Sequence, residues 1–229
     1  MPGDWFRNER WSPEIEREFY AKLKRSRGQR AQYLRIQAYS LVKTEPLVAL
    51  RLIDEYFATK DTSFVAAAYR DQAAALVALG RVTEAIEAHR RSIEWAATHP
   101  GFETSSRLEL PLLIATRKLA EHYDLAMELL ESRDLRLVFP LEVFLHACSL
   151  AMIHSERGEA LQALECARLA LKAAETSQSP LSRHPGLGLV DDRFAAEVQR
   201  MERLVAAKGF KDSEQSGALT WLSKKVRWL

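Results

Sequence analysis

The chain has 229 residues, 47% apolar and 28% charged, a composition that suits a soluble protein of one or two domains. Its 33 Lys and Arg against 31 Asp and Glu leave a formal charge of +2, which argues against a strongly basic nucleic-acid binder. The longest apolar run, Ala73 to Leu79, falls far short of the ~20 residues that span a bilayer, so no membrane partner is expected.

The start, Met1-Pro2-Gly3-Asp4-Trp5-Phe6-Arg7, has no apolar segment behind its charges, and no secretion signal is expected there. Ser12-Pro13-Glu14-Ile15-Glu16 reads as a helix start, with Ser as N-cap, Pro at the first helical position and acids at the positive end of the dipole. The stripe Ile15, Phe19, Leu23 continues that helix and Gly28 closes it. Apolar periodicity then predicts helices over 30–42, 46–58, 64–79, 82–97, 107–121, 123–132, 141–156 and 159–175. Breaks fall at Gly80, Pro100-Gly101, Pro140 and Gly158. Segment 177–190 is a loop by composition, and one more helix is expected over 191–207. The polar stretch Asp212 to Gly217 leads to a tail in which Trp221 and Trp228 share a helical face beside Leu222, Val226 and Leu229. Such a face needs burial, first on the chain's own helices and otherwise in a dimer or, last, against a membrane surface. No stretch alternates long enough to suggest a sheet.

Two helix pairs repeat. Tyr69-x2-Gln72-Ala73-x2-Leu76 precedes Gly80 and Ala85-Ile86-x2-His89; Ala147-x2-Leu150-Ala151-x2-His154 precedes Gly158 and Ala163-Leu164-x2-Ala167. The strings Leu79 to Ile86 and Arg157 to Leu164 superpose over the turn. A third pair sets Tyr33-x2-Ile36-Gln37 against Ala49-Leu50-x2-Ile53, with Thr44 where the turn glycine belongs. A fourth sets Leu110-x2-Leu113-Ile114 against Ala126-Met127-x2-Leu130, with Glu121 in the glycine's place. Glycine accepts a left-handed turn, and the alanines Ala49, Ala85, Ala126 and Ala163 allow close helix crossings.

These pairs resemble tetratricopeptide repeats. The resemblance implies one all-α, tetratricopeptide-like solenoid of helical hairpins over 1–211, with repeats at about 30–58, 64–97, 107–132 and 141–175. Helices at 12–26 and 191–207 would cap it, and 212–229 would be linker and amphipathic tail. It also implies a concave groove lined by the first helix of each pair. By that offset the lining is Leu34, Arg35, Ala38 and Leu41, then Arg70, Asp71, Ala74 and Val77, then Leu112, Ala115 and Lys118, then Cys148, Met152, Ser155 and Glu156. Repeats of this family that clamp a chaperone's C-terminal carboxylate use Lys and Asn at such places. Leu34, Ala38 and Ala74 stand there instead, which argues against that partner.

Catalytic patterns are missing from the sequence. It has no glycine-rich phosphate loop, nucleophile elbow, paired Cys-x-x-Cys or zinc-protease helix. His146 and His154 lie two turns apart, too far to share a metal unaided. Cys148 and Cys166 read as small buried hydrophobes, and two cysteines cannot staple a chain of this size, so a reducing cytoplasm is expected. Glu16/Glu18 and Asp54/Glu55 read as solvated helix carboxylates. Five cations between Lys22 and Arg30 suit a helix C-terminus, and no aromatic platform is interleaved for nucleic acid. The expectation is a non-enzymatic cytoplasmic scaffold without cofactor or metal, monomeric or homodimeric, that binds a protein or peptide segment. Alternatives are a small-molecule or signal-peptide sensor and an immunity-type inhibitor of a toxin.

Overall fold

In the computed structural model, which describes residues 4–99 and 102–207 apart from the Arg27 side chain, the chain is all-helical. Ten α-helices and no strand occur among the described residues. They are α1 (Pro13–Leu23), α2 (Arg30–Leu41), α3 (Pro46–Ala58), α4 (Val65–Ala78), α5 (Val82–Thr98), α6 (Ser106–Thr116), α7 (Tyr123–Glu131), α8 (Pro140–Glu156), α9 (Ala160–Ala174) and α10 (Ala195–Ala207). Each expected helix is present. The largest departure is α6, which stops at Thr116 where apolar spacing runs on to 121. The expected break at Pro100-Gly101 and the tail over 212–229 lie outside the described residues. The helices gather into two compact units, 1–106 and 107–229, and the single span 1–211 inferred from the sequence runs across both.

Local chemistry explains the boundaries. Ser12 Oγ accepts the Ile15 amide at 3.3 Å, and Pro13 opens α1 without wasting a donor. Pro46 and Pro140 open α3 and α8 in the same way. Gly80 and Gly158 both take left-handed backbone, at φ 74° and 77°. A third turn has the same form around Lys118, at φ 54°. The amides of Arg81, Leu119 and Glu159 each donate five residues back, to Leu76, Ile114 and His154, at 2.9, 3.0 and 2.9 Å. The turn glycine's counterpart is therefore Lys118, not Glu121, which instead sits in a 3-10 turn over Ala120–His122. Five residues past the left-handed residue stand Ala85, Tyr123 and Ala163, all buried, so Tyr123 rather than Ala126 matches the two alanines. A lysine held left-handed costs about 1 kcal/mol, and nothing in its type announces the position. Thr44 is not left-handed either: the Glu45 amide donates to Leu41 O at 2.8 Å and the α2–α3 turn stays right-handed.

In the first unit α2 packs on α3, α3 on α4 and α4 on α5. The core gathers Phe19 and Leu23 of α1, Leu34, Ala38 and Leu41 of α2, Leu52, Ile53 and Tyr56 of α3, and Ala68 and Ala75 of α4. The N-terminal segment completes it. Trp5, Phe6 and Trp11 pack against this core, and Phe6 stacks on Tyr33 with ring centroids 4.4 Å apart. The buried Gln37 amide is satisfied by Asn8, receiving its amide at 3.1 Å and donating to its carbonyl at 2.7 Å. Ala85 is fully buried on α5, opposite α4. Ala85→Leu is expected to overpack that crossing and cost about 1–3 kcal/mol, read as a lower urea midpoint; an unchanged midpoint would show the site has room.

In the second unit α8 is the central helix, buried continuously from Val143 to Ile153. It packs on α7, α9 and α10. The loop 177–190 folds back over its first turn. There the Gly188 carbonyl accepts the Leu141 amide at 2.8 Å, while Glu142 accepts the amides of Val138 and Phe139 at 2.7 and 3.0 Å. Gly188 has φ 72°, and a Cβ on it would overlap the Phe139 ring. Gly188→Ala is expected to cost about 2–4 kcal/mol, from left-handed strain plus overpacking, and to raise hydrogen exchange in the first turn of α8. Wild-type exchange and stability in that variant would mean the loop does not hold the helix.

A candidate partner-binding face on the first unit

Two helices of the first unit meet through charge. Asp71 on α4 is 1% exposed at its side chain and receives two guanidinium groups. Arg35 on α2 donates Nη1 to Oδ2 at 2.9 Å. Arg70 donates Nε and Nη2 to Oδ1, at 3.1 and 2.5 Å. A carboxylate buried alone would be costly, and charge-assisted hydrogen bonds to both oxygens offset that cost. Aromatic rings hold the two forks in place: Arg35 lies over Phe64 and Arg70 over Tyr39, each 5.5 Å from ring centroid to guanidinium carbon. Tyr39 stands one turn beyond Arg35 on α2 and is 51% exposed. Among the described residues the buried Arg35 Nε has no hydrogen-bond partner. Behind the cluster His89 is buried on α5 with Nδ1 3.0 Å from Ser106 Oγ; burial, then the charge of Arg70, pushes its pKa down to about 4.

The structure separates the residues expected to line a groove. Leu34, Ala38 and Leu41 are core, in one buried cluster with Phe19 and Leu23 of α1 and Leu52, Ile53 and Tyr56 of α3. Asp71 is buried beneath its arginines. Cys148 and Met152 lie inside the second unit, since α8 has neighbours on several sides, and Ala115 is buried as well. Those seven cannot present a surface. Arg35, Arg70, Ala74, Val77, Leu112 and Ser155 are half-buried, and Lys118 and Glu156 are exposed. Lys118 and Glu156 pair with each other at 2.9 Å, and Arg200 of α10 stands 3.8 Å from the same carboxylate. His154 pairs with Glu159.

Nothing in the sequence singles out Tyr39 or Phe64. The only local signal was the four-residue step from Arg35 to Tyr39, which is common on helices.

Other sequence features carry less chemistry. Burial pushes the Cys148 and Cys166 thiols up to about 12, so neither is a ready nucleophile. Among the described residues no group of three His, Cys, Asp or Glu is placed to hold a metal ion. Lys22 pairs with Glu18 at 2.5 Å, while Lys24, Arg25 and Arg30 point to solvent. An open hollow of about 540 Å³ beside Gly28 mixes Arg30 and Lys60 with Glu55 and Asp61. No described helix is long and apolar enough to cross a membrane. Comparison of the chain with family models, with curated proteins and with solved structures finds no match.

Proposed function

We propose that the protein is a non-enzymatic, tetratricopeptide-like scaffold whose first unit binds a peptide or protein segment across α2 and α4. The observation that carries this reading is the Arg35–Asp71–Arg70 cluster, which joins two non-consecutive helices and sets a half-exposed tyrosine beside two partly exposed guanidinium groups. Rigid aromatic and arginine side chains of this kind supply most of the energy at protein interfaces. The repeat reading is supported by the shared turn at Gly80, Lys118 and Gly158 and by the small buried residues Ala85 and Ala163. The test is selection from a displayed library of random dodecapeptides, followed by hydrogen exchange of the full chain with and without the strongest binder. Protection over 34–41 and 64–77 is the expected result. A binder that protects only α10 or the 177–190 loop, or a selection that yields none, would overturn it.

A further inference from the structure

We infer that α1 and α2 form a second peptide site, which the chain's own residues 4–11 occupy as an exchangeable internal ligand. The partner it fits is an outside segment with two adjacent aromatics and, two positions on, an asparagine. Residues 4–11 belong to neither helix nor strand, and their side chains sort by face. Trp5, Phe6, Asn8 and Trp11 are half-buried, while Asp4, Arg7, Glu9 and Arg10 are exposed. Among the described residues every hydrogen bond of the buried Gln37 amide goes to Asn8. Gln37 Oε1 accepts the Asn8 backbone amide at 3.1 Å and its Nδ2 at 2.9 Å, and Nε2 donates to the Asn8 carbonyl at 2.7 Å. Thr44 Oγ1 donates to the next carbonyl, that of Glu9, at 2.6 Å. A side-chain amide that pairs with both the N–H and the C=O of one residue reads main chain, as the edge of a sheet does, and leaves identity to the flanking contacts. Those contacts are aromatic: Phe6 stacks on Tyr33, and Trp5 lies 5.0 Å from Tyr33 and 5.5 Å from Phe19 between ring centroids. The fit is incomplete. An open hollow of about 270 Å³ remains among Trp5, Asn8, Ile15 and Phe19, so a segment that fills it buries apolar surface the internal one leaves open. Chain continuity through Ser12 holds the internal segment at an effective concentration on the order of mM, which an outside segment must exceed or out-bind.

The test uses the full chain and a dye-labelled synthetic octapeptide with the sequence of residues 4–11. In a full-length variant carrying Trp5→Ala and Phe6→Ala the tethered copy loses its anchors, and the octapeptide should bind about tenfold or more tighter than it binds the wild type. Binding should protect 33–44 from hydrogen exchange and leave 64–77 unchanged. N-methylation of the octapeptide's Asn8 amide, which removes the donor to Gln37 Oε1, should weaken binding about tenfold. A scrambled octapeptide of the same composition should not compete. In the wild type, octapeptide at a concentration on the order of mM should free the tethered segment and speed tryptic cleavage after Arg7 and Arg10. Circular dichroism melts establish that the double variant is folded; if it is not, Phe6→Ala alone takes its place. A folded variant that does not bind the octapeptide, equal binding of the scrambled or N-methylated form, protection at 64–77 instead of 33–44, or wild-type cleavage unchanged at saturation would each overturn the inference. Residues 4–11 would then be core held only by chain continuity. Such a failure leaves the α2–α4 reading standing, since Gln37, Thr44 and Tyr33 lie outside the Arg35–Asp71–Arg70 cluster.

Discussion

Deleting residues 1–11 is expected to lower the stability of the first unit by about 4 kcal/mol or more, although the cut leaves every helix and the Ser12 cap intact. Trp5, Phe6 and Trp11 pack on the core that Phe19 and Tyr33 help to form, and losing three half-buried aromatics returns a large apolar area to water. The deletion also strands Gln37. Its amide is fully buried, and Asn8 supplies both its donor and its acceptor. Without that segment an amide sits at the core's edge with nothing of the right geometry to bond. Urea unfolding followed by amide protection in α2 reads the loss. Gln37→Leu separates the two causes. In the full chain it should destabilise, because Asn8 then loses its partner; in the truncated chain it should recover part of the loss, because an apolar side chain has no hydrogen bond to miss. A truncated chain with the wild-type midpoint would mean that the segment merely lies on the surface.

That segment also marks how far the sequence could be read. Helix boundaries were legible wherever a residue type forces them: Ser12 and Pro13 at the start of α1, Pro46, Gly80, and Gly158 before α9. At Lys118 the same backbone turn is made by a residue with no preference for it, and the register of the third hairpin slips by three residues in consequence. Burial was harder to read. A helical offset finds the side of α2 opposite its packing stripe, but only the tertiary fold gathers Leu34 and Ala38 into one core with residues of α1 and α3. Asp71 carries the same lesson with the opposite sign. Its charge suggested a surface position, and its two guanidinium partners are what allow it to be buried. One of those partners adjoins it in sequence, while the other is 36 residues away on a different helix, a distance no local motif spans.

The first unit should weaken on mild acidification, in a pH window set by His89. The imidazole is buried opposite the Ser106 hydroxyl; burial, then the charge of Arg70, lowers its pKa from 6.5 to about 4. Above pH 6.5 the ring is neutral in both folded and unfolded chains and contributes no pH dependence. As pH falls from 6.5 towards 4 the unfolded chain takes up the proton first, so stability declines; below about 4 the folded chain is protonated too and the loss levels off. The full difference corresponds to about 3 kcal/mol. Paired carboxylates also favour folding less in acid, but Asp134, held well below its ordinary value by Arg107 and Ser132, and Glu84, lowered by Arg81, lose their partners' help only at the acid end of this range and beyond. The upper part of the window therefore belongs to the histidine. His89→Gln keeps a hydrogen-bonding side chain opposite Ser106 and removes the titration. Urea midpoints measured between neutral pH and about 4.5 should fall in the wild type and stay nearly flat in the variant over the upper half of that range. Equal slopes in the two proteins would mean that the imidazole reaches water, or that Ser106 and its neighbours rearrange to accept the charged ring.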